Sequence, residues 1–157
     1  MSLYDADFYE WTREQSAALR RRLSERANTE LDLEHLAEEI ESLGKRDRRA
    51  VESTIARIIE HLLKLEHSPA RLPRDGWMNS ALKQRDRLEL IFDDSPSLRA
   101  TLDVRKAYVK ARRYALPSLV KDHVPEDWIP IECPYSLDQI EDHDFWPGRR
   151  SGENGQN

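Results

Sequence analysis

The segment that most constrains the fold runs from Asp32 to Pro69. At about 100° of helical rotation per residue, its aliphatic residues fall within about 60° of one line: Leu33, Leu36, Ile40, Val51, Ile55, Ile58, Leu62 and Leu65. The line stays in phase across Gly44, whereas a turn of arbitrary length would normally shift it. We therefore predict one helix of roughly 35 residues, capped by Asp32 and ended by Ser68-Pro69. Gly44 is expected to mark a kink or a close helix crossing.

Three other amphipathic segments predict helices, over residues 5–26, 77–92 and 95–119. Asp5 is a good N-cap for the first of them, and Ser95 with Pro96 is a strong start signal for the last. The first helix has an apolar stripe of its own, which consists of Tyr4, Phe8, Trp11, Ala18, Leu19 and Leu23. We expect this stripe to face the core.

The remainder of the chain predicts an arm rather than another long helix. Residues 123–136 are expected to be extended and anchored by Trp128, Ile129 and Ile131. Ser136 and Gln139 then form a capping box for a short final helix. No segment alternates with period two. The predicted fold class is all-α: a four-to-five-helix bundle with one long central helix and an extended C-terminal arm that ends in a short helix.

Composition supports a single helical domain. The 157 residues are 35% charged and 38% hydrophobic with only 5 glycines, which suits one soluble bundle, expected over residues 1–147. The polar residues 148–157 are expected to form a disordered tail. The net charge of -5 gives no overall attraction to nucleic acid or to an anionic membrane. One cysteine, no leader and no long apolar run indicate a cytoplasmic protein.

The acidic stretch "DLEHLAEEIESLG" at residues 32–44 suggests a metal site. Metal sites in helical bundles use glutamates and Glu-x-x-His motifs that project inward from several helices. This stretch offers only His35 and Glu38 in the reverse order, and the two diverge by about 60° on the helix surface. A solvated face with a Glu41–Lys45 pair is therefore favoured. His35 and Glu38 come nearest to a metal-binding pair, and no cofactor is predicted.

Polar residues also occur on the apolar lines of the predicted helices. They are Gln15, Arg22, Asp47, Gln84, Arg105 and Arg112. Because Arg and Asp are almost never buried unpaired, we predict a buried network between helices, with Asp47 pairing with an arginine such as Arg105. Such a network would fix helix register, or it could line a pocket for an anion.

Basic residues form a strip on one flank of the predicted fourth helix: Arg99, Lys106, Lys110 and Arg113. The strip could contact phosphates. No recognition-helix motif or glycine loop accompanies it, so a solvated face is favoured and nucleic acid is not the expected partner. Motifs for nucleophilic, phosphate-loop and zinc-protease catalysis are absent from the sequence.

Six segments together resemble the domain of unknown function family DUF29. They are "YDADFYEWTREQSAALR", "LDLEHLAEEIESLGKRDRR", "IIEHLLKLEH", "LKQRDRLELIFDDSPSL", "AYVKARRYA" and "IPIECPYSLDQI". The resemblance implies a small helical bacterial protein without an established activity. It draws attention to four polar residues within the family pattern, which become the candidate catalytic residues: Glu38, Glu39, His61 and Arg85.

Two functional hypotheses follow from these observations. The first is a non-enzymatic protein-interaction module, acting as a homo-oligomer or with another protein, because catalytic motifs are lacking and a long charged helix exposes much surface. The alternative is a metal- or anion-binding enzyme or ligand-binding protein that uses the four candidate residues between helices. The sequence leaves open whether the chain is an enzyme, and it predicts no membrane partner.

Overall fold

The computed structural model describes residues 1–25 and 28–148, and the described residues form helices and no strand. Within residues 1–25 and 28–148, seven α-helices follow in order: α1 (Leu3–Ala6), α2 (Phe8–Ser24), α3 (Leu33–His67), α4 (Arg74–Asp94), α5 (Ser97–Ala100), α6 (Val104–Lys121) and α7 (Leu137–Glu141). A 3-10 turn (Glu126–Trp128) lies between the last two. The all-α class, the long helix and the short final helix are confirmed. The tail predicted over 148–157 lies outside the described residues, except for Gly148.

The chain divides into two compact units, and each is described by itself. The first consists of Met1–Val51 and Glu89–Leu102, and the second of Glu52–Leu88 and the described part of Asp103–Asn157. The prediction of a single domain over residues 1–147 stays a prediction.

The long helix α3 is a single 35-residue element, as its hydrophobic phase predicts. Its two halves differ in burial. Between residues 51 and 65 the large aliphatic side chains are almost fully buried: Val51, Ile55, Ile58, Ile59, Leu62, Leu63 and Leu65. In the first half Leu33, Ala37 and Gly44 are buried, and Leu36 is 41% exposed. Placing Leu36 on the buried line was wrong, because small residues form the helix contact there.

The first predicted helix is broken near its start. Residues 3–6 form α1, with Ser2 and Asp5 in a capping box. The extended backbone of Asp7 then ends α1 and caps α2, where its carboxylate accepts a hydrogen bond from the Glu10 amide at 2.9 Å. Asp7 rather than Asp5 is thus the N-cap of the long element, and α2 ends at Ser24. The expected end at Arg26 lies outside the described residues.

A close helix crossing holds the first unit together at Gly44. A Cβ atom at this position would lie 2.5 Å from Thr12 Oγ1 and 3.3 Å from the Tyr9 ring. Thr12 and Ser16 are the buried residues of α2. The interpretation of Gly44 as a point of close packing is therefore confirmed, and α3 runs through it without a break.

The predicted fourth helix is two separate elements, α5 and α6. In the first unit, the Asp7 carboxylate accepts hydrogen bonds from the amide and the hydroxyl of Ser97, at 2.7 and 2.8 Å. The Ser95 hydroxyl, which was expected to cap the helix, instead accepts a bond from the Tyr9 amide at 3.1 Å. In the second unit α6 starts afresh, with Asp103 as its N-cap.

One carbonyl group of the C-terminal arm accepts two hydrogen bonds from α6. The Pro130 carbonyl accepts hydrogen bonds from the Tyr108 hydroxyl and, at 3.2 Å, from Arg112 Nε. Ile129 is buried, as predicted. The expected anchoring by Trp128 and Ile131 was wrong, because their side chains are 53% and 87% exposed. At this point the arm is held by hydrogen bonds to its backbone, and the side chains of Trp128 and Ile131 are exposed to solvent.

Candidate functional site

Arg85 is the most deeply buried charged residue that the structure describes, with 1% of its surface exposed. Its Nε donates to the Ile140 carbonyl at 2.9 Å, and its Nη2 donates to the carbonyls of Gln139 and Phe145 at 3.2 and 3.0 Å. The guanidinium also lies 4.7 Å from the centre of the Trp146 ring. Burial lowers the pKa of Arg85, and nearby Asp142 opposes this shift. Arg85 thus links α4 to the end of α7.

A second buried polar pair joins α3 to the arm. The Tyr135 hydroxyl donates to a Glu66 carboxylate oxygen at 2.5 Å. Burial, followed by this hydrogen bond, raises the pKa of Tyr135 far above its usual range. Burial also raises the pKa of Tyr108 to about 12 and raises the pKa of the Cys133 thiol. These groups are protonated at neutral pH, so none of them is an activated nucleophile.

His61 lies in α3 with 7% of its surface exposed, and neither ring nitrogen has a hydrogen-bond partner among the described residues. Next to it, Lys64 and Glu60 form a buried ion pair at 2.7 Å. Burial lowers the pKa of His61; Glu60 opposes this shift, and Lys64 and Arg57 add to it. His61 is therefore a neutral core imidazole at neutral pH, and protonating it in the folded state is unfavourable.

This lowered pKa of His61 predicts a pH-dependent stability. The unfolded chain binds a proton near the ordinary pKa of 6.5, whereas the folded chain binds it only at lower pH. The free energy of unfolding should therefore fall as the pH drops below about 6.5. Replacing His61 by leucine should reduce this slope between pH 7 and 5, as measured by urea unfolding. His123→Asn removes an exposed imidazole and should keep the wild-type slope; equal slopes for all three proteins would contradict the prediction.

The predicted acidic and metal-binding residues occupy exposed positions of the first unit. Glu38 and Glu39 are exposed, and His35 Nδ1 lies 2.5 Å from Asp32 Oδ2. This contact lowers the pKa of Asp32 and raises that of His35. Glu41 contacts Lys45 at 2.9 Å, as predicted. Glu38 and Glu39 lie in the first unit and His61 and Arg85 in the second, so a site built from all four stays a prediction.

The predicted buried network is only partly buried. Gln15, Asp47 and Gln84 are half-buried, and Arg112 reaches the arm carbonyls. Burial and nearby Asp94 raise the pKa of Asp47, while Arg46 lowers it. The expected burial of Arg22 and Arg105 was wrong. Arg22 is exposed, and the Arg105 side chain is 89% exposed and pairs with Asp103 at 3.1 Å. Asp103 is the N-cap of α6, and its ion pair with Arg105 holds the Arg105 guanidinium at the exposed start of the helix.

The predicted phosphate strip does not lie on one helix. Lys106, Lys110 and Arg113 are on α6, but Arg99 belongs to α5. The helix is interrupted between α5 and α6 because Asp103 is the N-cap of α6. Lys110 donates to the Ser53 hydroxyl at 3.0 Å. A continuous four-residue strip on a single helix was therefore wrong, and the remaining three positions stay a candidate basic surface.

One surface of the second unit was missed by sequence reasoning. An open groove is lined by Val109, Arg112, Arg113, Leu116 and Ile131. Val109 is 58% exposed, and Tyr114 and Val120 on the same helix are also exposed. The spacing of Val109, Leu116 and Val120 on α6 could have indicated this stripe. The contribution of Ile131 depends on how the arm docks, so it could not be read from the helix alone.

The sequence profile described as "Domain of unknown function DUF29" matches residues 3–146, which is nearly the whole chain. The chain belongs to the DUF29 family. This DUF29 protein is also similar to a solved structure, an α-helical protein of unknown function from Rhodospirillum rubrum. The two share 26% identity over 92% of each chain with a TM-score of 0.78. Among curated proteins, no sequence matches this DUF29 chain.

Several positions that carry the DUF29 resemblance have a structural role in this chain. Gly44 forms the helix crossing, Ser95 accepts the Tyr9 amide bond, and Arg85 links α4 to α7. Tyr108 holds the arm carbonyl. In the described part of this DUF29 protein, no helix is both long and apolar enough to cross a membrane.

Proposed function

We propose that this protein is a non-enzymatic protein-interaction module that binds an acidic amphipathic segment of another protein along α6. The observation that carries the proposal is the composition of the exposed α6 surface. This helix has six lysine and arginine residues and no aspartate or glutamate, although the whole chain has a net charge of -5. An all-basic helix with an apolar stripe favours a partner with acidic and apolar residues at helical spacing.

The groove suits an acidic amphipathic segment in two ways. Val109, Leu116 and Ile131 offer apolar contacts, and the arm beside α6 gives the surface a concave shape that suits side chains. The groove also includes two arginines, of which Arg112 lies 3.5 Å from Glu126. Arg113 is exposed and can pair with a carboxylate of the partner. Apolar contacts of this kind contribute most of the affinity, and the basic rim selects an acidic partner.

The alternative of an anion-binding or metal-binding enzyme has less support. Arg85 is the one cation among the four candidate residues, and its Nε and Nη2 atoms already donate to three backbone carbonyls, which leaves only the buried Nη1 without a partner among the described residues. His35 is paired with Asp32. These contacts favour structural roles for both residues, and so the interaction module is the better proposal.

Site-specific photo-crosslinking in cells that make the protein tests this proposal. A photoreactive phenylalanine analogue at Val109 should yield a discrete adduct with a protein, and one at Leu72, which is fully exposed elsewhere in the second unit, should not. The partner identified by mass spectrometry is then purified and titrated against the full chain. Val109→Asp and Ile131→Asp should each weaken binding at least tenfold, and Leu72→Asp should not.

Two results would overturn the proposal. The first is equal or absent crosslinking at Val109 and Leu72. The second is binding of the full chain to phosphatidylglycerol vesicles that Val109→Asp abolishes, without any protein adduct. That result would assign α6 to an anionic membrane surface instead.

A further inference from the structure

The first unit has an exposed apolar face of its own, on α2 and the first half of α3. The two helices meet where Gly44 lies against Thr12, and Ser16 and Ala37 are buried on the same lines of their helices. Small side chains on these lines let the two backbones approach closely, but they leave Leu36 and Leu43 outside the contact. The result is a helix pair with an apolar stripe that the pair itself does not use.

On α3 the unused stripe consists of Leu36, Ile40 and Leu43, which recur at i, i+4 and i+7. The stripe lies roughly 40° to 100° around the helix from the buried line through Ala37 and Gly44. Leu36 is 41% and Leu43 36% exposed, and Ile40 is half-buried. A stripe of this length on a helix normally packs against another element.

On α2, Leu19 lies on the same side of the pair and is half-buried. Leu23 is exposed but falls on the Thr12–Ser16 line itself. The short connection between Ser24 and Leu33, together with the contact of Thr12 with Gly44, requires the two helices to be antiparallel. Leu19 is turned away from the Thr12–Ser16 line in the same rotational sense as the α3 stripe is turned from its own line. In an antiparallel pair this places Leu19 and the α3 stripe on one face, called here the hairpin face.

A few charges beside the hairpin face are complementary to one another. On α3, Glu39 and Asp32 flank the stripe, whereas Glu34, Glu38 and Glu41 lie on the other side of the helix. On α2, Arg22 lies on the same side as Leu19, whereas Arg20, which pairs with Glu41 at 2.5 Å, lies on the other side. If two hairpin faces meet about a two-fold axis parallel to the helices, α2 of each copy lies beside α3 of the other. The exposed Arg22 of one copy then faces the acidic start of α3 in its partner.

The size of the hairpin face is that of a small interface. Tyr4 of α1 packs on Phe8 and Trp11 on this side of α2, so the free part of α2 runs from Thr12 to Ser24 and extends about 20 Å at 1.5 Å per residue. Two neighbouring helices are about 20 Å wide, and the face therefore covers about 400 Å² in projection on each copy. The two copies together cover about 800 Å², and the accessible surface of their side chains is larger, which places the contact at the low end of specific interfaces.

We propose that the chain forms a two-fold homodimer in which the hairpin face packs against the same face of a second copy. Leu36, Leu43 and Leu19 form the apolar centre of a four-helix arrangement in which every neighbouring pair of helices is antiparallel. Arg22 and the acidic start of α3 form its rim. This dimer is independent of the interaction proposed for α6, since the two surfaces share no residue.

Sedimentation equilibrium on the full chain between about 1 and 100 µM, at the micromolar end of the range of interface affinities, tests the proposal. The wild type should sediment at twice the 18.4 kDa chain mass. The double variant Leu36→Glu/Leu43→Glu should sediment as a monomer with an unchanged far-UV circular dichroism spectrum, because both side chains are exposed in the single chain. Leu72→Glu, a matched leucine in the second unit, should remain dimeric.

Charge exchange supplies a second, independent readout. Arg22→Glu should weaken the dimer at least tenfold, and adding Glu39→Arg to it should restore part of the affinity, more at low salt than at high salt. A monomeric wild type at 100 µM would overturn the proposal. So would a dimer that survives Leu36→Glu/Leu43→Glu, or one that Val109→Asp dissociates, since the latter would place the dimer contact on α6.

Discussion

Replacing Arg85 by methionine should lower the free energy of unfolding by about 3 kcal/mol or more. The change removes the donors to the carbonyls of Gln139, Ile140 and Phe145, which lie at and beyond the end of α7. The bond to the Ile140 carbonyl is buried, and a buried carbonyl left without a donor costs about 1–3 kcal/mol. The bonds to Gln139 and Phe145 are partly buried, so the loss of each costs less. Methionine has a similar volume and avoids the cost of burying a guanidinium, but it cannot satisfy three acceptors.

Equilibrium urea unfolding measures this effect, and the control is Arg87→Met. Arg87 lies two residues away on α4 and is exposed, so its replacement should change stability by no more than about 0.5 kcal/mol. Arg85→Lys should also destabilise, because one ammonium group cannot reach carbonyls in three directions as the planar guanidinium does. An Arg85→Met variant as stable as the wild type would mean that the burial cost of the guanidinium cancels its hydrogen bonds.

The second large effect is expected at Gly44. Alanine is the better helix former by about 1 kcal/mol, yet Gly44→Ala should destabilise by about 1–3 kcal/mol. The reason is that its Cβ would lie 2.5 Å from Thr12 Oγ1, and this oxygen is fixed by its hydrogen bond to the Tyr9 carbonyl at 2.7 Å. Thermal or urea unfolding measures the change.

The chain provides a matched control for this substitution. Gly76 also lies inside a helix, α4, and a Cβ there would have no neighbour within 4 Å. Gly76→Ala should therefore stabilise the protein by up to about 1 kcal/mol. In a Thr12→Ala background, Gly44→Ala should lose most of its cost, because the atom in the way is gone. If Gly44→Ala is as favourable as Gly76→Ala in the wild-type background, the close crossing at Gly44 is wrong.

The long helix could be predicted because hydrophobic periodicity is a property of the segment itself. Which face of that helix packs against α2 could not be predicted from the helix sequence alone. Leu36 and Ala37 are neighbours in sequence, and hydrophobicity favours burial of the leucine, but Ala37 is the buried residue and Gly44 makes the contact with α2. A stripe of large side chains indicates that a face can be buried, and the element that packs against it decides whether it is.

For the candidate site, too, a residue could be predicted from the sequence but its contacts could not. Arg85 could be singled out from the family resemblance, but its partners lie 54 to 60 residues further along the chain. No local pattern relates an arginine to backbone carbonyls at such distances. The prediction for Arg105 was wrong for a related reason. Periodicity placed Arg105 near an apolar line, but its side chain donates a hydrogen bond to Asp103, two residues earlier, and is exposed.

The two compact units are interleaved along the chain, and this has a consequence for protein synthesis. Each unit consists of two separate stretches of sequence, since residues 89–102 complete the first unit and residues from Asp103 onward complete the second. No single cut in the gene can therefore yield two fragments that each contain a whole unit. On the ribosome, the first unit also has to wait for residue 102, by which time the first stretch of the second unit has already been made.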